Sequence, residues 1–84
     1  MPTPAANKDR YNANNAVYDA FALDVPADTE AAHDWLALAD DSDRHASLDD
    51  ALVLSAELGV KITLKDDRGF IRGWVHPDGS YTLQ

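Results

Sequence analysis

Apolar residues recur every three or four positions through much of the chain, which is the spacing of amphipathic helices. A first helix is predicted to begin near Asn14. One of its faces would carry Val17, Ala20 and Phe21. This helix should end before Pro26, because the residue that precedes a proline avoids the helical region of backbone space.

Two further helices are predicted from their N-terminal signals. Asp28 is a favourable N-cap for the second helix, whose apolar face would include Trp35. Ser47 is a favourable N-cap for the third, and Gly59 suits the position just after its end. Residues 40–43 should form a loop, because carboxylates oppose the negative C-terminal end of a helix dipole. The third helix is apolar around so much of its circumference that we expect it to be buried centrally.

After Gly59 the hydrophobic period shortens to about two residues, which is typical of half-buried strands. Strands are predicted over residues 60–65, 70–76 and 81–83, and glycine-containing turns connect them. The predicted fold class is therefore α+β. It has about three helices followed by a two- or three-stranded antiparallel β-meander, with the helices on one face of the sheet.

The length of 84 residues is that of a single domain. We expect residues 1–12 to form a flexible N-terminal arm and residues 13–84 to form the α+β domain. The absence of cysteine excludes disulfides, thiolate metal sites and a cysteine nucleophile. The chain starts with no secretory signal and its apolar runs are too short to cross a bilayer, so the expected location is the cytoplasm.

No motif in the chain predicts catalysis or cofactor binding. The stretch from Asp41 begins like a calcium loop, but Ala46 replaces the required glycine and Leu52 replaces the bidentate glutamate. Three histidines lie in different predicted elements and form no local metal-binding pair: His33, His45 and His76. No serine lies in a nucleophile elbow, and no glycine-rich loop is spaced to hold a phosphate. We therefore expect no enzymatic activity, no metal, no cofactor and no small-molecule substrate.

The formal charge of −8 is concentrated in the predicted helices. Residues 19–50 contain ten acids and one base, Arg44, whereas residues 60–84 contain three acids and four bases. This charge opposes direct binding to nucleic acid and to anionic membranes. The acids form either a solvated surface or an array that imitates nucleic-acid phosphates. In the second case, the partner-binding acids would be Asp28, Glu30, Asp34, Asp40, Asp41 and Asp43.

A second candidate surface lies on the predicted strand 70–76. Arg72 and Trp74 alternate along it with Ile71 and Val75, so the two pairs should point to opposite faces of the sheet. If the helices cover only the Ile71 side, an exposed arginine and tryptophan have the composition of a binding hot spot. If this domain covers both faces of its sheet, Trp74 is part of the core instead.

In size, acidity and lack of catalytic motifs, the chain resembles the small cysteine-free proteins that phages and mobile elements encode against host defences. Anti-CRISPR and anti-restriction inhibitors that mimic DNA are among them. The resemblance covers this overall profile and no aligned positions. It implies a protein that binds another protein stoichiometrically and carries out no chemistry.

The leading hypothesis is a DNA-mimicking inhibitor that blocks a basic, nucleic-acid-binding surface of a host defence complex. The six acids would supply the electrostatic field, and Arg72 with Trp74 would anchor the contact. The alternative is an intracellular interaction module of another kind, such as an antitoxin or accessory subunit, that binds through the face carrying Arg72 and Trp74. A third hypothesis, a small enzyme or metal-dependent regulator, has no motif that favours it.

Overall fold

The structure of the protein, a computed structural model, describes residues 21–84. The predicted arm at residues 1–12 and the predicted helical positions before residue 21 lie outside the described residues. The described part forms two α-helices, one 3₁₀ turn and five strands. In chain order these are β1 (Phe21–Asp24), α1 (Glu30–Leu38), the 3₁₀ turn (Ser42–Arg44), β2 (His45–Ala46), α2 (Leu48–Leu58), β3 (Ile62–Lys65), β4 (Ile71–Val75) and β5 (Tyr81–Leu83).

The five strands form one antiparallel sheet in the order β2-β1-β3-β4-β5. β3 is central, and its Leu64 lies opposite Leu23 of β1 and Gly73 of β4. A Cβ at Gly73 would collide with the backbone carbonyl of Thr82 and the side chain of Leu83. Glycine at this position therefore lets β5 approach β4 closely.

The hydrophobic core lies between the sheet and α2, and α1 packs beside α2. The sheet and the helices contribute to the same buried cluster, whose members include Ala32, Ala51, Leu58, Ile62, Leu64 and Val75. Side chains alternate regularly where Ile62–Leu64 pairs with Gly73–Val75, so Thr63 and Trp74, which lie opposite each other, point to the outer face of the sheet. Beyond Leu64 the register shifts and pairs Lys65 with Ile71. The helices thus cover the inner face around β3 and leave Trp74 on the other side. On β5, Tyr81 and Leu83 lie opposite Val75 and Gly73 and remain exposed.

The predicted fold class is wrong in its number and order of elements. The described residues contain two helices and a five-stranded antiparallel sheet, rather than three helices followed by a two- or three-stranded meander. β3, β4 and β5 do form the predicted meander, but β1 and β2 extend it on the β3 side. Each of β1 and β2 is thus followed by a helix, and the meander joins the sheet where β3 pairs with β1.

The main error falls on Phe21–Asp24, which was predicted as the end of a helix and is strand β1. Phe21 and Leu23 are two residues apart and join the core cluster, whereas Asp24 is exposed. This alternation fits a strand, and the short segment also fits a helical stripe, so periodicity alone does not separate the two. Pairing with both β2 and β3 decides the outcome, because local propensity is weaker than tertiary contacts in a sheet.

The helix boundaries follow the predicted capping chemistry at α2 and differ at α1. The Ser47 hydroxyl accepts the Asp50 N–H at 3.3 Å, and Gly59 ends α2 with a φ of 70°, so both predicted signals are confirmed. The N-cap of α1 is Thr29 and not the predicted Asp28. The Thr29 hydroxyl accepts the Ala32 N–H at 3.1 Å and donates to the Leu58 carbonyl at 2.6 Å. Thr29 therefore caps one helix and ties it to the end of the other.

Candidate protein-binding surface

Acidic residues dominate the segment from Asp28 to Leu58, hereafter the acidic segment. It contains nine acids and a single base, Arg44. All nine carboxylates are exposed: Asp28, Glu30, Asp34, Asp40, Asp41, Asp43, Asp49, Asp50 and Glu57. Within the described residues, no lysine or arginine forms an ion pair with any of them. The acidic segment therefore presents an uncompensated negative charge.

The side chain of Arg44 contacts other residues of the acidic segment. Its Nη2 donates to the Leu36 carbonyl at 2.9 Å and to the Ala39 carbonyl at 3.5 Å, and its guanidinium lies 5.9 Å from the centre of the Trp35 ring. These carbonyls belong to the C-terminal end of α1, where backbone acceptors lack intrahelical donors and the helix dipole is negative. Arg44 thus supplies hydrogen-bond donors to the end of α1, and its guanidinium lies over the Trp35 ring.

Two of the predicted acids build the loop after α1. One Asp40 carboxylate oxygen accepts the Ser42 hydroxyl at 2.7 Å and the Asp43 N–H at 3.0 Å, while an Asp43 carboxylate oxygen accepts the Asp40 N–H at 3.1 Å. The hydrogen bonds from Ser42 and from the Asp43 backbone lower the pKa of Asp40 below its ordinary value. Asp40 and Asp43 are therefore structural residues of the loop as well as surface charges.

The structure places the six predicted acids at three positions around α1. Glu30 and Asp34 lie one turn apart on α1, and the Asp40–Asp43 loop follows its C-terminal end. Asp28 lies apart from these, in a shallow cleft of about 230 Å³ that it lines with residues of the outer sheet face: Asp24, Pro26, Lys61 and Thr63. All six acids are therefore exposed, and Asp28 is the one of them that lines this cleft.

Arg72 and Trp74 lie on β4 and have intramolecular partners. The Arg72 Nε lies 3.3 Å from an Asp66 carboxylate oxygen. Trp74 is half-buried on the outer face, with the Lys61 ammonium 5.7 Å from its ring centre. Neither residue lies on the helices that carry the acids. The exposed apolar side chains of this part of the molecule are instead Phe70, Ile71, Tyr81 and Leu83.

A groove on the helical side was missed by the sequence analysis. It has a volume of about 320 Å³ and runs between α2 and the stretch Ser42–Ala46. α2 contributes Asp50, Val53, Leu54 and Glu57, which recur at the spacing of one helical face. The opposite side is formed by Leu23, Trp35, Ser42, Asp43, His45 and Ala46. Apolar and acidic side chains thus line the same groove.

The groove corrects the expectation that α2 is buried all around. Ala51, Ser55 and Leu58 are its buried residues, whereas the side chain of Val53 is 57% exposed. The pattern acid-apolar-apolar-acid at Asp50, Val53, Leu54 and Glu57 was visible in the sequence. The hydrophobic pattern alone favours core positions for Val53 and Leu54, and it therefore gives no reason to group them with the two acids that flank them.

Residues 21–84 were also searched for groups of metal ligands and for membrane-spanning helices. Among residues 21–84, no three His, Asp or Glu side chains are grouped so that they could hold a metal ion. Within the same residues, none of the helices has both the length and the apolar character that crossing a membrane requires. The chain matches no protein-family model, no curated protein and no solved structure.

Proposed function

We propose that this protein is a small acidic inhibitor that binds a basic, nucleic-acid-binding surface of a host defence complex and blocks it by imitating DNA. The inhibitor acts by occupancy and carries out no reaction. Its partner is a protein, and it works in the cytoplasm of the cell that contains the defence complex. It requires no cofactor and no metal.

The observation that carries the proposal is the uncompensated charge of the acidic segment. Nine exposed carboxylates accompany one arginine, and that arginine is directed at the carbonyls of α1 and the ring of Trp35. Duplex DNA presents about one negative charge per 1.7 Å of its axis, and proteins that bind it carry complementary basic grooves. Exposed carboxylates on a folded scaffold offer such a groove a competing negative surface.

Electrostatic attraction of this kind makes a specific kinetic prediction. Opposite surface fields accelerate association, and salt screens them with a Debye length of about 8 Å at physiological ionic strength. Partner binding should therefore weaken as salt increases, mainly through slower association. Binding through an apolar surface would change little over the same range of salt.

Pull-down from a bacterial lysate at low and high salt tests the proposal. The tagged protein should recover a nucleic-acid-binding protein that washes off in high salt. Two variants that each raise the net charge by two units make the test specific: Glu30→Gln with Asp34→Asn on α1, and Asp67→Asn with Gln84→Lys on the β-meander. We expect only the α1 variant to weaken binding, by about ten-fold. Equal effects of both variants, or a salt-resistant complex, would contradict the proposal.

A second candidate function is an interaction module, such as an antitoxin or accessory subunit, that binds through the sheet. The exposed apolar side chains on and next to β4 and β5 favour it: Phe70 is 63% exposed, Tyr81 52%, Leu83 47% and Ile71 42%. Such a module would hold its partner in high salt. Tyr81→Lys would abolish its binding, whereas the same change should leave the DNA-mimicking inhibitor active.

A further inference from the structure

The groove beside α2 combines apolar and acidic side chains, and the two together indicate the chemistry of a partner. Its exposed apolar side chain is Val53, next to the partly buried Leu54, Leu23 and Trp35. Its acids are Asp43, Asp50 and Glu57, all of which are exposed. We propose that the groove binds a protein segment whose large apolar side chains are flanked by arginine or lysine. This inference rests on the proposed function and names the part of the partner that the inhibitor would hold.

The geometry of α2 sets the spacing of the partner's charges. Asp50 and Glu57 are seven residues apart, which is about two helical turns or 10 Å along the axis. Val53 and Leu54 lie between them on the same side of the helix. A segment lying along α2 would therefore place an apolar side chain centrally and a basic residue toward each end.

All three groove acids are exposed, and one of them, Asp43, also accepts the Asp40 N–H in the loop after α1. Within the described residues, no lysine or arginine pairs with Asp43, Asp50 or Glu57. Arg44, the one base of the acidic segment, donates to carbonyls of α1 and leaves the groove acids uncompensated. A basic segment would neutralise these carboxylates, whereas a nucleic acid or an acidic peptide would be repelled by them.

The apolar part of the groove favours a segment over a simple counter-ion. Val53 is 57% exposed on a helix face that also carries Leu54, and the Trp35 ring, which also lines the groove, has the Arg44 guanidinium 5.9 Å from its centre. Covering these side chains removes apolar surface from water, which contributes affinity that salt does not screen. The volume of about 320 Å³ suits side chains of a protein, at the lower end of the range for small-molecule sites.

Fluorescence anisotropy with a designed peptide tests the inference on the full chain. The probe is a labelled octapeptide, Arg-Arg-Gly-Leu-Leu-Gly-Arg-Arg. One control peptide replaces the leucines by serine, and another replaces the arginines by glutamate. We expect the probe to bind more tightly than either control, because only the probe satisfies both the apolar and the acidic side chains of the groove.

Charge-matched variants locate the binding site. Asp50→Asn with Glu57→Gln neutralises two groove acids. Asp49→Asn with Asp67→Asn neutralises two exposed acids that neither line the groove nor belong to the six predicted partner-binding acids. The first variant should weaken probe binding by about five- to ten-fold and the second by less than about two-fold. Val53→Asp should abolish binding, whereas Ala56→Asp, an equal charge change at an exposed position of α2, should not.

Each other outcome overturns the inference. If both double variants weaken probe binding equally, the peptide responds to the overall field and the groove is not its site. If the serine control peptide binds as tightly as the probe, the apolar side chains contribute nothing. Either result leaves the proposed function standing, because that function is tested separately by the salt-sensitive recovery of a nucleic-acid-binding partner.

Discussion

The acidic segment and the β-meander use the same residue types in different ways. On the β-meander, Asp66 accepts the N–H groups of Arg68 and Phe70 and lies 3.3 Å from Arg72, and Asp78 accepts both the N–H and the hydroxyl of Ser80. These carboxylates build turns. In the acidic segment only Asp40 and Asp43 do so. Among residues 21–84 no lysine or arginine pairs with the remaining acids, and an Asp34 carboxylate oxygen lies 3.8 Å from the His33 Nδ1. Hydrogen bonds to the acid's own loop or turn therefore mark the structural carboxylates, and carboxylates without such bonds are the candidates for binding a partner protein.

The largest expected change in the free energy of unfolding comes from a comparison of two apolar residues, one in each region. Leu64 is fully buried at the centre of the sheet, so Leu64→Ala should reduce the free energy of unfolding by about 2–5 kcal/mol. Val53 is 57% exposed in the groove, so Val53→Ala should change it by no more than about 0.5 kcal/mol. Urea unfolding monitored by circular dichroism measures both values. A cost for Val53→Ala as large as that for Leu64→Ala would mean that Val53 belongs to the core.

A smaller change in stability is expected when single acids of the two regions are replaced by alanine. Asp66→Ala should lower the urea midpoint, because it removes the carboxylate oxygen that accepts two N–H groups of the β3–β4 turn and also removes the partner of Arg72. Asp34→Ala should leave the midpoint unchanged or raise it slightly, because alanine favours a helix and the change relieves repulsion. Both variants lose one negative charge, so each is the control for the other. Equal losses of stability would remove the distinction between the two regions.

The pH dependence of Asp66→Ala sharpens the same distinction. Partial desolvation raises the pKa of Asp66, but the backbone N–H groups of Phe70 and Arg68 and the charge of Arg72 outweigh it, so the pKa lies below its ordinary value of 3.8. A depressed pKa in the folded state stabilises the fold above pH 3.8, and this stabilisation is lost as the pH falls through the folded-state pKa. The stability difference between the wild type and Asp66→Ala should therefore be present at pH 7 and shrink below pH 3.8. A difference that stays constant across this range would show that the turn does not depend on the ionised carboxylate.

The parts of the fold that the sequence predicted correctly are those specified by local chemistry. Ser47 and Gly59 bracket α2 because a hydroxyl N-cap and a left-handed glycine act on their own helix. The alternation of Ile62 and Leu64 with Thr63 and Lys65 likewise predicts β3 without reference to the rest of the molecule.

The errors concern elements that depend on distant partners. Phe21–Asp24 is a strand because it pairs with β2 and β3, and β2 itself is only two residues long, too short for a period to be recognised. Thr29 rather than Asp28 caps α1, and it also binds the Leu58 carbonyl 29 residues away. Sequence spacing contains no information about such a contact.

The candidate surface was predicted in composition but not in arrangement. The excess of acids was plain from the sequence, and all six predicted acids are exposed. The hydrogen bonds from Arg44 to α1 could not be predicted from the sequence, because their acceptors are backbone carbonyls that only the fold brings close to this side chain. The groove could not be predicted without the positions of Leu23 and Trp35 relative to α2. The position of Leu23 follows from the place of β1 in the sheet, and that of Trp35 from the packing of α1 beside α2.

Competition with duplex DNA is the most direct test of the claim that the acidic segment imitates nucleic acid. A labelled duplex is bound to the partner recovered in the pull-down, and the protein is then titrated into the complex while fluorescence anisotropy is followed. The account predicts that the protein displaces the duplex, more effectively at low salt, and that Glu30→Gln with Asp34→Asn displaces it less well. A partner that binds the protein and the duplex at the same time would contradict the account.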